Sequence, residues 1–550
     1  MHTVETVLLV LMLGALTGIA ARYVRAIPLP LIQIALGALI AWPQDGLHIA
    51  FDPELFLLLF IPPLLFADGW RIPKREFFAL AKPILLLAFG LVFITVFGLG
   101  YLIHWMIPSI PLTVAFALAA VVSPTDAVAV SAISRNLGMP SKTMHLLEGE
   151  SLLNDASGLV ALKFAVAATL TAGSFSWENA AKDFTWMSVG GLGLGALMGW
   201  GFSRGRDMVT RRVGDVAATQ MVLLLILLPF ASYIMGEYIG VSGILSAVAA
   251  GIATNFADLD RSNFISERLQ TEGTWSMVEA AFNGAIFLLL GLQLPSIIGE
   301  TLRGAAHRDV WLLLGYVAAI SCALLALRWA WLMLGVRSSL HKAHRQGRMV
   351  ERPSALLTLA TTVAGIRGAV TLAAALSIPT HLANGRVFPE RNLLIFLATG
   401  TILFTLVLGS IVLPLLLRRI PPVEDTQAQH EERLARTAAC QAAIASLALP
   451  EDQAQQHSAQ WLAQHQEVAG RITQEYRNRI QLLDESGVAN TPEAQSDSPE
   501  VVHERRLRYL REIELRLHCI QVERNTLYAE RQAHRINDEM LRSMVSELDM

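Results

Sequence analysis

The run Leu147-Glu-Gly-Glu-Ser-Leu-Leu-Asn-Asp-Ala-Ser-Gly-Leu-Val160 places Glu150, Ser151, Asn154 and Asp155 inside an otherwise apolar stretch. Ionisable groups in helices at lipid depth are rare and usually functional. On a helix, Ser151, Asn154, Asp155 and Gly158 fall at i, i+3, i+4 and i+7 and share a face, while Leu152, Leu153, Leu159 and Val160 point mostly elsewhere. A hydroxyl, an amide oxygen and a carboxylate are the hard oxygen ligands that a small alkali cation accepts in exchange for water. Taking a carboxylate out of water disfavours its bare charge, so Asp155 is expected to hold either a proton or a cation. Competition between the two for one group is exchange. A purely structural polar cluster is the plainer alternative, but it leaves this ligand set unexplained. Glu150 borders the same face and needs a buried cation, for which Arg367 is the candidate.

Two further segments carry charge where a helix should be interrupted. In Val122-Ser-Pro-Thr-Asp-Ala127, Pro124 removes a backbone donor beside Asp126. In Val363-Ala-Gly-Ile-Arg-Gly-Ala369, Gly365 and Gly368 weaken the helix around Arg367. Each break frees backbone groups at membrane depth to face an ion or a neighbouring side chain. Taken singly, a proline kink and a small-residue seam would explain them. Their matched positions in the chain argue for a shared site. Ile61-Pro-Pro-Leu-Leu-Phe-Ala-Asp-Gly69 reads as a third, proline-broken helix followed by Asp68, near a helix end. Glu279 and Asn283 lie one turn apart and are secondary candidates. Lys163 and Arg328 fall near the ends of their spans, where long stems let charges reach water, and both are left outside the site. His104 and Glu237 read as loop-edge residues.

The elements that must position these residues are membrane spans. Of 550 residues 53% are hydrophobic and 16% charged, and the mean hydropathy is +0.46, a composition for which the bilayer is the solvent. A twenty-residue window gives thirteen expected spans, near 5–23, 28–43, 54–70, 79–105, 111–135, 146–171, 186–206, 217–236, 239–256, 276–297, 310–336, 354–378 and 393–418. The first reads as a retained helix, with no basic segment or cleavage motif before it. Lys and Arg concentrate in the loops after odd-numbered spans, among them Arg71, Lys74, Arg75, Arg211, Arg212, Lys342 and Arg345. The positive-inside rule then places the N-terminus outside and the C-terminus in the cytoplasm. Spans 1–6 and 8–13 read as two inverted six-helix repeats with each break in a fifth span, a transporter signature. After Pro421-Pro422 the chain becomes polar, with helical stretches expected at 427–448, 452–484 and 499–547 and a linker at 485–498. The domains are therefore 1–420, transmembrane, and 421–550, a helical cytoplasmic tail that solubilises or stabilises. In its last stretch Leu510, Ile513, Leu517 and Ile520 begin a hairpin or imperfect coiled coil.

Several function classes are excluded. The net charge of −3, without a basic arm, leaves no place for nucleic acid. The three cysteines, Cys322, Cys440 and Cys519, have neither disulfide nor zinc spacing. No catalytic constellation or phosphate loop is present, so the chain does not read as an enzyme. A channel would need a continuous polar pore and a receptor an informative exterior, whereas here the polar groups gather around two breaks and one helix face. A cation-coupled symporter of a small solute on a related inverted-repeat fold is the alternative, but it calls for a roomier pocket.

Ser123-Pro-Thr-Asp126, Glu150-Ser-Leu-Leu-Asn-Asp155 and Gly365-Ile-Arg-Gly-Ala369 together resemble the NhaP and animal Na+/H+ exchanger branch of the monovalent cation:proton antiporters. The resemblance covers about residues 5 to 418 in order and spacing. It implies an all-α membrane fold of thirteen helices with two crossed broken helices, a homodimer, and a core bundle that moves against a dimerisation domain. It further implies that Asp155 carries ion or proton, Asn154 supports it, Thr125 offers a backbone oxygen, Asp126 and Ser151 contribute ligands, and Glu150 pairs with Arg367. Asp68 would correspond to an acidic residue near the cytoplasmic entrance. The cation would rest on Asp155, Asp126 and Ser151, with no cofactor beyond the transported Na+ or K+ and H+. Na+ is the expected cation, K+ and Li+ the alternatives, and a single carboxylate beside Asn154 makes the exchange electroneutral, in the service of pH and sodium homeostasis. The setting implied is a bacterial inner membrane, with lipid as the surrounding partner. Lys163 departs from the family, whose members often keep this span apolar.

Overall fold

The computed structural model describes residues 2–21, 23, 27–42, 53–134, 137–170, 177–213, 218–257, 265–303, 309–346, 354–381, 387–420, 426–447, 459–488, 521–523, 525–527 and 529. Among them the chain is helical, with one isolated β-bridge between His381 and Val387. It divides into two compact units, Met1–Val423 and Glu424–Met550. In the first unit α1 (His2–Ala20), α2 (Leu29–Ala41), α3 (Pro53–Arg71) and the short α4 (Lys74–Ala79) lead into α5 (Ala81–Met106). The first interrupted pair is α6 (Leu112–Val122) and α7 (Ala127–Ser134), followed by the site helix α8 (Ser141–Leu170). Then come α9 (Trp177–Val213), α10 (Ala218–Ile239), α11 (Gly243–Ala257), α12 (Ile265–Arg303) and α13 (Val310–Arg345). The second interrupted pair is α14 (Ala355–Val363) and α15 (Ala369–Leu376), and α16 (Arg391–Leu417) closes the unit.

Among the described residues seven helical segments are long and apolar enough to cross a membrane, and α2, α11 and residues Leu8–Ala20 are shorter apolar ones. Large apolar side chains such as Trp105, Trp186, Leu197 and Trp311 are exposed around the outside, as expected where lipid takes the place of water. Lipid gives helices no hydrophobic reason to associate, so close backbone approach at small residues matters instead. A methyl group at Gly37 would lie 2.3 Å from the Leu288 carbonyl oxygen, and one at Gly291 2.2 Å from that of Ile34, so α2 and α12 meet backbone to backbone.

Two local features differ from expectation. The helix at Ile61-Pro-Pro is not broken: α3 runs unbroken through Pro62 and Pro63 to Arg71. Proline removes its own donor but keeps a helical φ, and the neighbouring helices enclose the turn, so the helix continues. Within α5, residues Leu86–Leu91 form a π turn, wider than the α turns around it.

In the second unit α17 (Thr426–Ser446) and α18 (Ala459–Val488) pack together as a helical pair that buries Cys440. Trp461 stacks on His465 with ring centroids 5.0 Å apart. Helix α18 extends to Val488, into the expected linker. The expected hairpin or coiled coil of 499–547 lies outside the described residues apart from fragments near 521–529.

Candidate ion-binding site

The breaks expected at 122–127 and 363–369 lie against one another, and the groups they free are taken up locally. The Asp126 amide donates to the Ile366 carbonyl at 2.7 Å, joining one break to the other. The Asp126 Oδ1 accepts from the amides of Val128 (2.8 Å) and Ala129 (3.0 Å), which makes it the N-cap of α7. Ser151 Oγ donates to the Thr125 carbonyl at 2.8 Å and accepts from the Ala127 amide at 3.2 Å, so α8 fills the gap left by Pro124. In the second break the Gly365 amide turns back to Thr362, leaving the Thr361 carbonyl to accept from Arg328 Nε at 3.2 Å. Arg367 donates through Nε to the Val122 carbonyl at 2.9 Å and through Nη1 to that of Gly365. Its guanidinium therefore sits over the C-terminal ends of both α6 and α14, where the unpaired carbonyls concentrate negative potential.

This arrangement corrects the expected Glu150–Arg367 pair. The Glu150 carboxylate is bound by both terminal nitrogens of Arg328, with the second contact at 2.8 Å, and both side chains are 1% exposed. Arg328 is thus an interior residue and not a charge reaching water. The expected span ended at 336, whereas α13 continues to Arg345, which carries Arg328 inward along the helix. Lys163 donates to Glu237 Oε1 at 2.9 Å.

Asp68, Thr125, Asp126, Ser151 and Asp155 line one small cavity of about 40 Å³, together with Glu279, Asn283, Gly368 and Thr371. Asn154 supports this cluster from behind: its Nδ2 donates to Thr125 Oγ1 at 2.8 Å, while its buried Oδ1 has no hydrogen-bond partner. Ser157, one turn along from Asn154, donates to the Ala88 carbonyl in the π turn of α5 at 2.6 Å and so fixes this part of α8 against its neighbour. A second cavity of about 970 Å³ shares Asp68, Ser151, Glu279 and Asn283 with the first and reaches Arg71, Pro73, Met144 and the exposed Met277. Glu279 is ion-paired to Arg71 at this wider cavity, which gives the secondary candidates a place on the approach to the carboxylates.

Among the described residues no three His, Cys, Asp or Glu side chains are placed to hold a metal ion together. The donors around the small cavity are instead carboxylates from separate segments with hydroxyl oxygens between them, a hard-oxygen set. Sequence reasoning missed Arg328, Ser157 and the capping role of Asp126. Residues 337–345, Arg-Ser-Ser-Leu-His-Lys-Ala-His-Arg, are polar and give no apolar signal that the helix carrying Arg328 continues, whereas the position of Asp126 just before Ala127 signals the last.

The sodium/hydrogen exchanger transmembrane family model matches residues 8–419. The chain is 42% identical to the uncharacterized Na+/H+ exchanger YjcE of Escherichia coli (strain K12), over 99% of this chain and 97% of that one. It is 47% identical to the sodium, potassium, lithium and rubidium/H+ antiporter of Bacillus pumilus, over 78% of this chain and 64% of that one. The solved structure of the sodium proton antiporter MjNhaP1 from Methanocaldococcus jannaschii matches with a TM-score of 0.58 at 18% identity, covering 76% of this chain and 98% of that one, a likeness of fold.

Proposed function

Because the chain belongs to the sodium/hydrogen exchanger family, a family of multi-pass membrane antiporters and not of enzymes, we propose that it exchanges Na+ for protons with one charge moving each way. K+ and Li+ are the alternatives on this reading, supported by the sodium, potassium, lithium and rubidium/H+ antiporter of Bacillus pumilus. The observation that carries the proposal is the convergence of Asp155, Asp126 and Asp68 on one cavity of about 40 Å³ at the crossing of two broken helices. That volume suits a water-sized body such as an alkali cation, and Asp155 and Asp126 line this cavity and not the wider one of about 970 Å³, which favours antiport over the symport alternative.

On this reading Asp155 is the exchanged group, neutralised in turn by a proton and a cation, with Asp126, Ser151 and the Thr125 carbonyl completing the cation's oxygen shell. Asn154 holds Thr125 in place, and Asp68 meets the ion as it arrives through the wider cavity. The Glu150–Arg328 pair and Arg367 hold the crossing together without taking part in the exchange. On the same reading the chain crosses the membrane thirteen times in two inverted repeats, with the N-terminus outside, the tail in the cytoplasm and the wider cavity opening to the cytoplasm. We place the protein in a bacterial inner membrane, as a homodimer, contributing to pH and sodium homeostasis.

Proteoliposomes holding a proton gradient and a pH-sensitive dye test the proposal. Addition of Na+, K+ or Li+ is expected to dissipate the gradient with unmodified protein and not with Asp155→Asn. Full exchange by correctly folded Asp155→Asn would refute the assignment of the exchanged group, and no response to any of the cations would refute antiport.

A further inference from the structure

Lys163, set aside both by the sequence reading and by the ion site, lies at the opposite end of the site helix from the wider cavity. It follows Asp155 by eight residues, about 12 Å along α8 at 1.5 Å per residue. Its ammonium donates to Glu237 Oε1 at 2.9 Å, and the same carboxylate oxygen accepts from the Gly243 amide at 3.2 Å. Lys163 is thereby tied to the turn between α10 and α11, which reverses at Gly240 with φ of 80°. Between this ion pair and Asp155, Ala156, Val160 and Leu245 form a small apolar cluster with Phe164, set apart from the main core. From Asp155 the chain thus offers an open route on one side and, on the other, a thin apolar seal bounded by an ion pair.

We propose that this contact between α8 and the α10–α11 turn is the second gate of the exchanger, latched by Lys163 and Glu237. The inference rests on the antiport reading above. An exchanger must present the same carboxylate to both faces in turn, so the contact that closes the far face has to part when the wider cavity closes. The pair is built to part. Lys163 and Glu237 are 39% and 40% exposed, against 1% for each member of the Glu150–Arg328 pair. Exposed pairs bias an equilibrium by only about two- to five-fold, enough to set which face the site prefers and too little to lock it. Breaking the seal wets four apolar side chains without orphaning a buried charge. Glu237 keeps its bond to Gly243 when Lys163 leaves, so the turn survives opening.

Removing the latch weakens the state open to the wider cavity and shifts the population toward the opposite face. Sided exchange in oriented proteoliposomes tests this with Lys163→Gln, Glu237→Gln and the charge-keeping Lys163→Arg. Each of the two glutamine variants is expected to lower the cation KM at the latch face and raise it at the cavity face, by about two- to five-fold, with Lys163→Arg leaving both near those of the unmodified protein. Unchanged KM values, or equal changes at both faces, would overturn the proposal. A Val160→Cys/Leu245→Cys disulfide is expected to stop exchange until reductant is added, with the single-cysteine variants active. Undiminished exchange with that disulfide formed would overturn it too. The unmodified protein separates the two readings: if it exchanges cation for protons but ignores these changes, the gate fails and antiport stands, while if it exchanges nothing both fail.

Discussion

Asp126 commits one carboxylate oxygen to the amides of Val128 and Ala129 and turns the other toward Gly368, so it is at once a helix cap and a candidate ligand. Residue types of this kind were legible because a carboxylate in an apolar run has few bland explanations, and Asp155, Asn154 and Ser151 follow from the helical period alone. Pairings were not. Glu150 and Arg328 are separated by 178 residues, and nothing local in either segment ties one to the other. Single removal of a partner leaves an uncompensated buried charge and costs about 3–5 kcal/mol. Glu150→Ala and Arg328→Ala are therefore each expected to lower thermal stability strongly in detergent, while the double variant loses less than the sum of the two. Additive losses in that double-mutant cycle would show that the two groups do not act as a pair.

At the scale of elements, the two interruptions were visible as Ser-Pro-Thr-Asp and Gly-Ile-Arg-Gly, because proline and glycine punctuate helices wherever they stand. Their crossing is an expectation that rests on resemblance, and what joins the two breaks is the Asp126 to Ile366 hydrogen bond. The continuous helix through Pro62 and Pro63 shows the limit of the same rule, since tertiary enclosure overrode it. The π turn of α5 has no counterpart in the sequence at all; apolar residues read alike in either kind of turn. Crossing leaves no room beside the second break: a methyl group at Gly368 would fall 1.7 Å from Asp126 Oδ2. Gly368→Ala is expected to push the carboxylate aside or part the breaks, cutting exchange at least ten-fold, whereas alanine at the open Gly193 leaves it within two-fold. Equal activities in proteoliposomes would mean that the crossing tolerates a wider gap.

For the whole molecule, composition announced a membrane protein, and the chain turns polar after Pro421-Pro422. What composition cannot convey is which faces of thirteen apolar stretches meet, because lipid and protein interior reward the same residues. The described part of the tail is a helical pair with its own buried surface. Truncation after Arg419 is expected to leave the pH profile of exchange unchanged while lowering the yield of folded protein, and a displaced profile would reassign the tail to regulation. The π turn at Leu86–Leu91 has a consequence for the length of the chain itself. A regular helix advances about 100° and 1.5 Å with every residue, so an extra residue would ordinarily swing one half of a span away from its neighbours. The wide turn absorbs such a residue. Helix α5 therefore behaves as a regular span carrying one supernumerary residue, and the bulge this residue makes is what hands the Ala88 carbonyl to Ser157 and braces the site helix.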